Sequence, residues 1–378
     1  MKNLIQKTSK LLAGIFLITL TFMACETNPE VEPQADILPE NFGIDIPSTI
    51  SNQGNASGRI AGNTAGRTQE DVLQGNDIYQ HLEVFIHVGE SAKDIVRNII
   101  NGIRKYNIDK AFTLSIESDD DGRVKNIVVV ESPEFEGETY EYGLTMTDAE
   151  SEGNEDGGYA LQIFWNRSPV KGTAIIKPYN IDRLHDANTG EAVFRVDYDA
   201  ASTLGYDAHM IVSIANLTLE DPSLNVYSMR SLKMFVGKSG NIIDVYGNSN
   251  HPNAKFFTDD SGFNWAFVAS GYNDADYAVA EVGLPPSTLD ETSRAVLLET
   301  YSIKNVFTEQ INIAFPGITQ DQIDLYLMHA EGPGYFTNEG FVSGGIPPAG
   351  LWDELELRIE DLTPYNPVEI SNLQVSFQ

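Results

Sequence analysis

Between Ala111 and Val282 the chain is cut into short β-branched and aromatic runs by turn-forming residues, and this punctuation constrains the fold more than any other feature. Residues 111–116 (AFTLSI) and 126–131 (NIVVVE) flank Asp119-Asp120-Asp121-Gly122. An Asp-Gly step between two such runs is a strong hairpin signal. Tyr140, Tyr142, Leu144 and Met146 alternate on one face, and 159–165 (YALQIFW) pairs with that run across an acidic, Gly-rich loop. Further runs follow at 173–177, 192–198, 209–214, 232–236, 242–246, 264–270 and 277–282, with a tight turn at Lys238-Ser239-Gly240-Asn241. Strands of this length and spacing predict an α+β fold, predominantly an antiparallel β meander curved into a sandwich or partial barrel, with a few packed helices.

Three segments read as helices. In 91–106, Ile95, Val96, Ile99, Ile100 and Ile103 recur at helical spacing behind Ser91 as N-cap. Thr288 and Glu291 form a capping-box pattern that predicts a helix to about Ile303, and Thr319 with Gln322 predicts a shorter one through Leu327. A Gly/Pro cluster at 344–350 precedes 351–357. These signals divide the chain into a β domain at 78–283 and a mixed C-terminal subdomain at 284–378 packed on it.

The N-terminus carries a different message. Lys2, Lys7 and Lys10 precede an uncharged apolar run of 14 residues, Leu11 to Ala24, which is short for a membrane-spanning helix. It ends Phe22-Met23-Ala24-Cys25, and Cys25 is the chain's one cysteine. The segment resembles the lipobox leader of bacterial lipoproteins, departing from the family pattern at Phe22 and Met23. The resemblance implies cleavage after residue 24, diacylglycerol on Cys25 with an amide-linked fatty acid such as palmitate, and membrane attachment through that lipid. Residues 25–77 then read as a flexible acidic tether, rich in Pro, Asn, Gly and Ser. One apolar island, Ile37-Leu38 and Phe42 to Ile46, interrupts it and is a candidate for docking on the head. Glu26, Glu30 and Glu32 resemble the acidic export signal of surface-exposed lipoproteins of the Bacteroidota, which implies an outer-membrane, outward-facing location; a plain solvated linker is the alternative.

Charge narrows the partners. With 24 Lys plus Arg against 55 Asp plus Glu, the net charge is -31, and removal of residues 1–24 takes away three Lys and leaves -34. Such a chain has no polybasic surface for nucleic acid or anionic lipid. A lone cysteine excludes an intramolecular disulfide and a cysteine-based metal cluster.

Catalytic motifs are absent from the sequence. No His-x-x-x-His pair, Gly-x-Ser-x-Gly elbow, Walker loop or dinucleotide fingerprint occurs. His81 and His87, read as part of a strand, lie about 20 Å apart, too far to share a metal. No cofactor is expected. Calcium has weak candidates in Asp119 and Asp121, and in Asp186 and Asn188, where favoured turn residues are the simpler reading. Trp165 and Trp265 are candidates for a sugar platform, with core packing the simpler reading. Asn248-Ser249-Asn250-His251-Pro252-Asn253 reads as a polar loop that could line a ligand site, a well-capped connection between strands being the alternative.

Three functions fit these features. The first is an envelope lipoprotein that acts as a binding or accessory module for a glycan, lipid or envelope protein. The second is a secreted hydrolase using two carboxylates, which leave no sequence signature. The third is a half-barrel lipid carrier. The missing motifs favour binding over catalysis.

Overall fold

Alternating side chains and tight turns do produce the antiparallel meander. The structure, a computed structural model, describes residues 37–39, 41–51, 75–104, 111–118, 121–184, 190–222, 227–255, 262–342 and 350–378. Cys25, Asp119, Asp186 and Asn188 lie outside the described residues. The chain divides into two units. The first takes the described residues up to Gly43, Ser91–Thr218 and Val375–Gln378; the second takes Ile44–Glu90 and Leu219–Gln374.

The first helix, α1 (Gly75–Arg104), is longer than the expected 91–106 segment. Ile78, Leu82, Phe85 and Ile86 are buried at helical spacing ahead of Ile95, Val96 and Ile100, so the apolar stripe starts before Ser91. The HLEVFIH segment is therefore helical, which corrects the strand reading of His81 and His87. Gly89 is tolerated within it because a Cβ there would lie 2.5 Å from Met234 Cε.

In the first unit β1 (Phe112–Glu117), β2 (Val124–Glu131), β3 (Glu134–Phe135), β4 (Glu138–Thr139), β5 (Tyr142–Asp148), β6 (Tyr159–Arg167) and β7 (Val170–Ile176) precede α2 (Pro178–Ile181), β8 (Val193–Asp199) and β9 (Ala208–Ala215). The sheet order is β1-β2-β5-β6-β7-β8-β9, and β3 with β4 forms a separate ribbon. Every pair is antiparallel, and the meander does not close into a barrel. Register places Leu114, Ile127, Met146, Leu161 and Ile176 in one cross-strand row on the buried face. Part of the opposite face is covered by described residues. Phe135 from β3, with Val375 and Phe377, packs over Phe164, Ile175 and Val193. Phe377 stacks on Tyr159 at 5.3 Å, and the Gln162 amide exchanges two hydrogen bonds with the Gln378 backbone. Part of the expected tether is core: Ile37, Leu38 and Phe42 are buried, and Ile37 O accepts from Trp165 Nε1 at 2.7 Å.

The second unit contains β10 (Ser231–Ser239), β11 (Ile242–His251), β12 (Phe263–Tyr272), β13 (Ala278–Gly283), β14 (Gly334–Thr337) and β15 (Gly340–Phe341), paired in sequence order. Ile44, Ile46 and Ile50 are buried in it, and Glu90 accepts from Ile46 N and Ser51 Oγ. The helix expected from Thr288 starts later and takes another form, a π-helical segment at Ala295–Thr300. A new helix, α3 (Ile303–Ala314), then begins at the Ser302 cap. The capping box at Thr319 opens α4 (Gln320–Tyr326) as expected. Of the last two helices, α5 (Asp353–Glu360) joins a core of Val268, Leu297, Trp352 and Ile359. The other, α6 (Pro367–Ser371), accepts from Ser231 Oγ of β10 and from Asn250 Nδ2 of β11.

Candidate functional site

Five short pieces of the second unit enclose a cleft of about 310 Å³. Tyr79 comes from α1, Glu281 and Val282 from β13, and Leu298 and Glu299 from the π-helical segment. The first turn of α3 gives Ser302 to Asn305, and the segment before β14 gives Ala330 to Gly332. Two glycines allow these walls to approach. A Cβ on Gly283 would lie 1.9 Å from Leu297 O, and one on Gly334 would lie 2.3 Å from the Tyr79 ring. Any side chain there would force the walls apart. Leu284 N bonds Tyr301 O at 2.8 Å, which ties the strand to the π-helical segment. Single π-helical turns are often found at functional sites.

The cleft is polar and its charges are organised. Glu281 pairs with Arg294, which also donates to Ile359 O at 3.3 Å. Burial pushes the Glu281 carboxyl above the usual range, against the pull of Arg294. Glu299 reaches the same guanidinium at 3.6 Å and is largely exposed, so most of its acceptor capacity faces solvent. Lys304 is held by Glu331. Asn305 Nδ2 donates to Glu299 O at 2.8 Å, and Ser302 Oγ caps Asn305 N. The lining therefore offers carboxylates, a hydroxyl and an amide beside the edge of a buried tyrosine. A second, open recess of about 450 Å³ lies between two turns and is lined by Asp276, Tyr277, Asn338 and Glu339.

The residues singled out in the sequence lie elsewhere. Trp165 and Trp265 are both core residues, 0% and 1% exposed. Trp265 stacks on His81 at 5.9 Å. Of the expected 248–253 loop, Pro252 and Asn253 do form a turn, but Asn248 to His251 do not. They are the last four residues of β11, and all are buried. Asn248 Nδ2 donates to Tyr365 O at 2.8 Å. Asn250 Nδ2 reaches Asn264, Ser287 and Ser371. These amides hold the 365–371 segment on the sheet, and in this arrangement no ligand reaches them.

His251 and Ser249 do form a nucleophile-and-base geometry. Ser249 Oγ lies 2.8 Å from His251 Nε2, and His251 Nδ1 lies 2.9 Å from Tyr227 O. A carbonyl only accepts, so Nδ1 carries the proton and Nε2 accepts from the serine. Ser249 is 0% exposed and lines neither cavity, so the pair is a core hydrogen bond. Burial pulls the His251 imidazole down to about 4, with His81 adding to the effect. A histidine held neutral makes a contribution that is complete above pH ~6.5 and declines as the unfolded chain protonates. We expect the stability gap between the wild type and His251→Gln to shrink by roughly 3 kcal/mol from pH 7 to pH 4 in urea titrations. An unchanging gap would contradict the neutral assignment.

Asp121, a calcium candidate in the sequence, is engaged by one ammonium and two backbone N–H groups. Its carboxylate lies 2.9 Å from Lys125 Nζ and accepts from the backbone N–H groups of Arg123 and Arg183. Among the described residues no group of three or more His, Cys, Asp or Glu could hold a metal ion.

The cleft residues were missed because their signal is slight. Glu281 is the one acid in an apolar strand, AVAEVG, and that break in the pattern was the available clue. No protein family, curated protein or solved structure matches the chain.

Proposed function

We propose that this protein is a lipid-anchored lipoprotein of the bacterial outer membrane whose head binds a small hydroxyl-rich ligand, such as a glycan fragment, in the Tyr79–Glu281–Glu299 cleft. The observation that carries the reading is the lining of that cleft. Carboxylates and an amide are the groups that grip vicinal hydroxyls, and the glycine contacts preform the walls. A lipid carrier needs a large apolar cavity, and neither cavity described above is of that kind. Among the described residues no helix is long and apolar enough to cross a membrane, and the attachment proposed is the lipid on Cys25. Two or more acyl chains give the stable anchoring that one chain does not. Radiolabelled fatty acid is expected to enter the wild type and not Cys25→Ser; equal labelling of both would refute the anchor.

A hydrolase is the second reading, favoured by one observation. Glu281 combines burial with a raised proton affinity, as a general acid requires. The test is a screen of the purified chain on soluble oligosaccharides of defined composition, followed by analysis for products. Retention without turnover supports binding. Product formation that Glu281→Gln abolishes, with the fold intact, establishes the hydrolase.

A further inference from the structure

We propose that β1 is the seat of a symmetric dimer, in which β1 strands from two copies of this chain pair antiparallel about Leu114 and join the two first-unit sheets edge to edge.

The first observation is that the edge is undefended. Among the described residues β1 stands at the end of the strand order and pairs with β2 alone. Exposed edges are usually protected by Lys, Pro, a bulge or shortness. β1 reads FTLSIE, six residues with no Lys and no Pro, and its register with β2 runs unbroken from Phe112↔Val129 to Glu117↔Val124. The end strand of the second unit, β15, is protected by its length of two residues. An open, unbroken edge is unusual on a chain with 79 charged side chains (24 basic and 55 acidic).

The second observation is self-complementarity. Phe112, Leu114 and Ile116 share the face that holds Val129 and Ile127. Val129 and Ile127 are buried, while the three β1 residues remain only half-buried. A two-fold axis through Leu114 sets Phe112 against Ile116 of the second copy and Leu114 against its own counterpart. All three half-covered apolar residues then gain an apolar partner, and Thr113 meets Ser115 on the other face. Shifting the axis by one residue to Thr113 or Ser115 breaks the apolar matching at one end. Charge agrees with this register. The strand's one ionic residue, Glu117, faces Ala111 of the second copy, so no like charges are opposed across the ladder.

A short ladder buries less than a standard interface, so association is expected in the micromolar range or weaker. The test is sedimentation equilibrium of the Cys25→Ser chain at concentrations on the order of 100 µM. A monomer–dimer equilibrium is expected for this chain. In Thr113→Lys/Ser115→Lys, two Lys–Lys pairs would face each other across the axis, and association is expected to weaken at least tenfold with the circular dichroism unchanged. A cysteine pair gives a readout independent of that variant. Directly opposed strand residues lie within disulfide reach. Thr113→Cys/Ser115→Cys on the Cys25→Ser background is expected to cross-link two chains on oxidation, and neither single variant is. A wild type that stays monomeric, a dimer indifferent to the lysine pair, or equal cross-linking by the single variants would each overturn the proposal.

Discussion

Replacing Asp148 by Ala is expected to cost about 3–5 kcal/mol. The Asp148 side chain is fully buried. It accepts from Arg123 Nε at 2.9 Å and from Ser151 Oγ at 2.5 Å, with Lys125 at 3.7 Å and Arg183 at 3.5 Å. Removing it opens a void beside three cations; Arg123 keeps Glu150 and Lys125 keeps Asp121, but all lose their shared buried acceptor, and weakened compensation of buried charge is what makes such losses large. Burial pushes the carboxyls of Asp121, Asp148 and Asp156 up, but their cationic and hydrogen-bonding partners outweigh it and hold all three below the usual range. A carboxyl lowered on folding contributes stability above its unfolded pKa, about 4, and loses it as pH falls through the folded value. The gap between wild type and Asp148→Ala is therefore expected to be full at pH 7 and to narrow below pH ~4. Urea denaturation at several pH values measures it. A gap under ~1 kcal/mol at pH 7 would contradict the account.

Ile100→Asp is the second large effect. Ile100 is buried on the inner stripe of α1, and a carboxylate there has no partner, so a loss of about 4 kcal/mol or an insoluble product is expected. Ile99, one residue away, is half-buried, and Ile99→Asp is expected to cost about 1 kcal/mol. The sequence treats the two isoleucines as equivalent; the helical phase separates them. Equal losses in thermal denaturation would mean that the helix is rotated from the orientation described.

Local signals account for what was readable beforehand. The β1–β2 hairpin forms at the Asp-Gly turn, where Gly122 takes a φ of 67°, and the expected turn at 238–241 forms at Gly240, with a φ of 60°. Such turns depend on a few adjacent residues. The misread segments depend on distant ones. Asn248 to His251 look like a loop because polar side chains seldom fill a central strand; here the amides are bonded by chain from 365–371, more than a hundred residues away. The first half of α1 was hidden because His81 to His87 also alternates in polarity, and period two and period 3.6 overlap over so short a stretch. The π-helical segment lays the Leu297 carbonyl against Gly283, a long-range approach that no local pattern announces. The cleft has the same character, since Tyr79 and Glu331 are neighbours only after folding.

The proposal that the cleft binds a hydroxyl-rich ligand is tested most directly by isothermal titration of the tightest-binding oligosaccharide from the screen. Wild type, Glu299→Gln and Asn338→Ala are compared, the last as a control in the second recess. Glu299 is exposed, so its replacement is expected to leave the fold intact, and a changed affinity with unchanged circular dichroism reports on the cleft. The account predicts a loss of about 10- to 100-fold for Glu299→Gln, the scale of one charged hydrogen bond, and wild-type affinity for Asn338→Ala. Wild-type affinity in Glu299→Gln together with a loss in Asn338→Ala would place the ligand in the other recess and contradict the assignment.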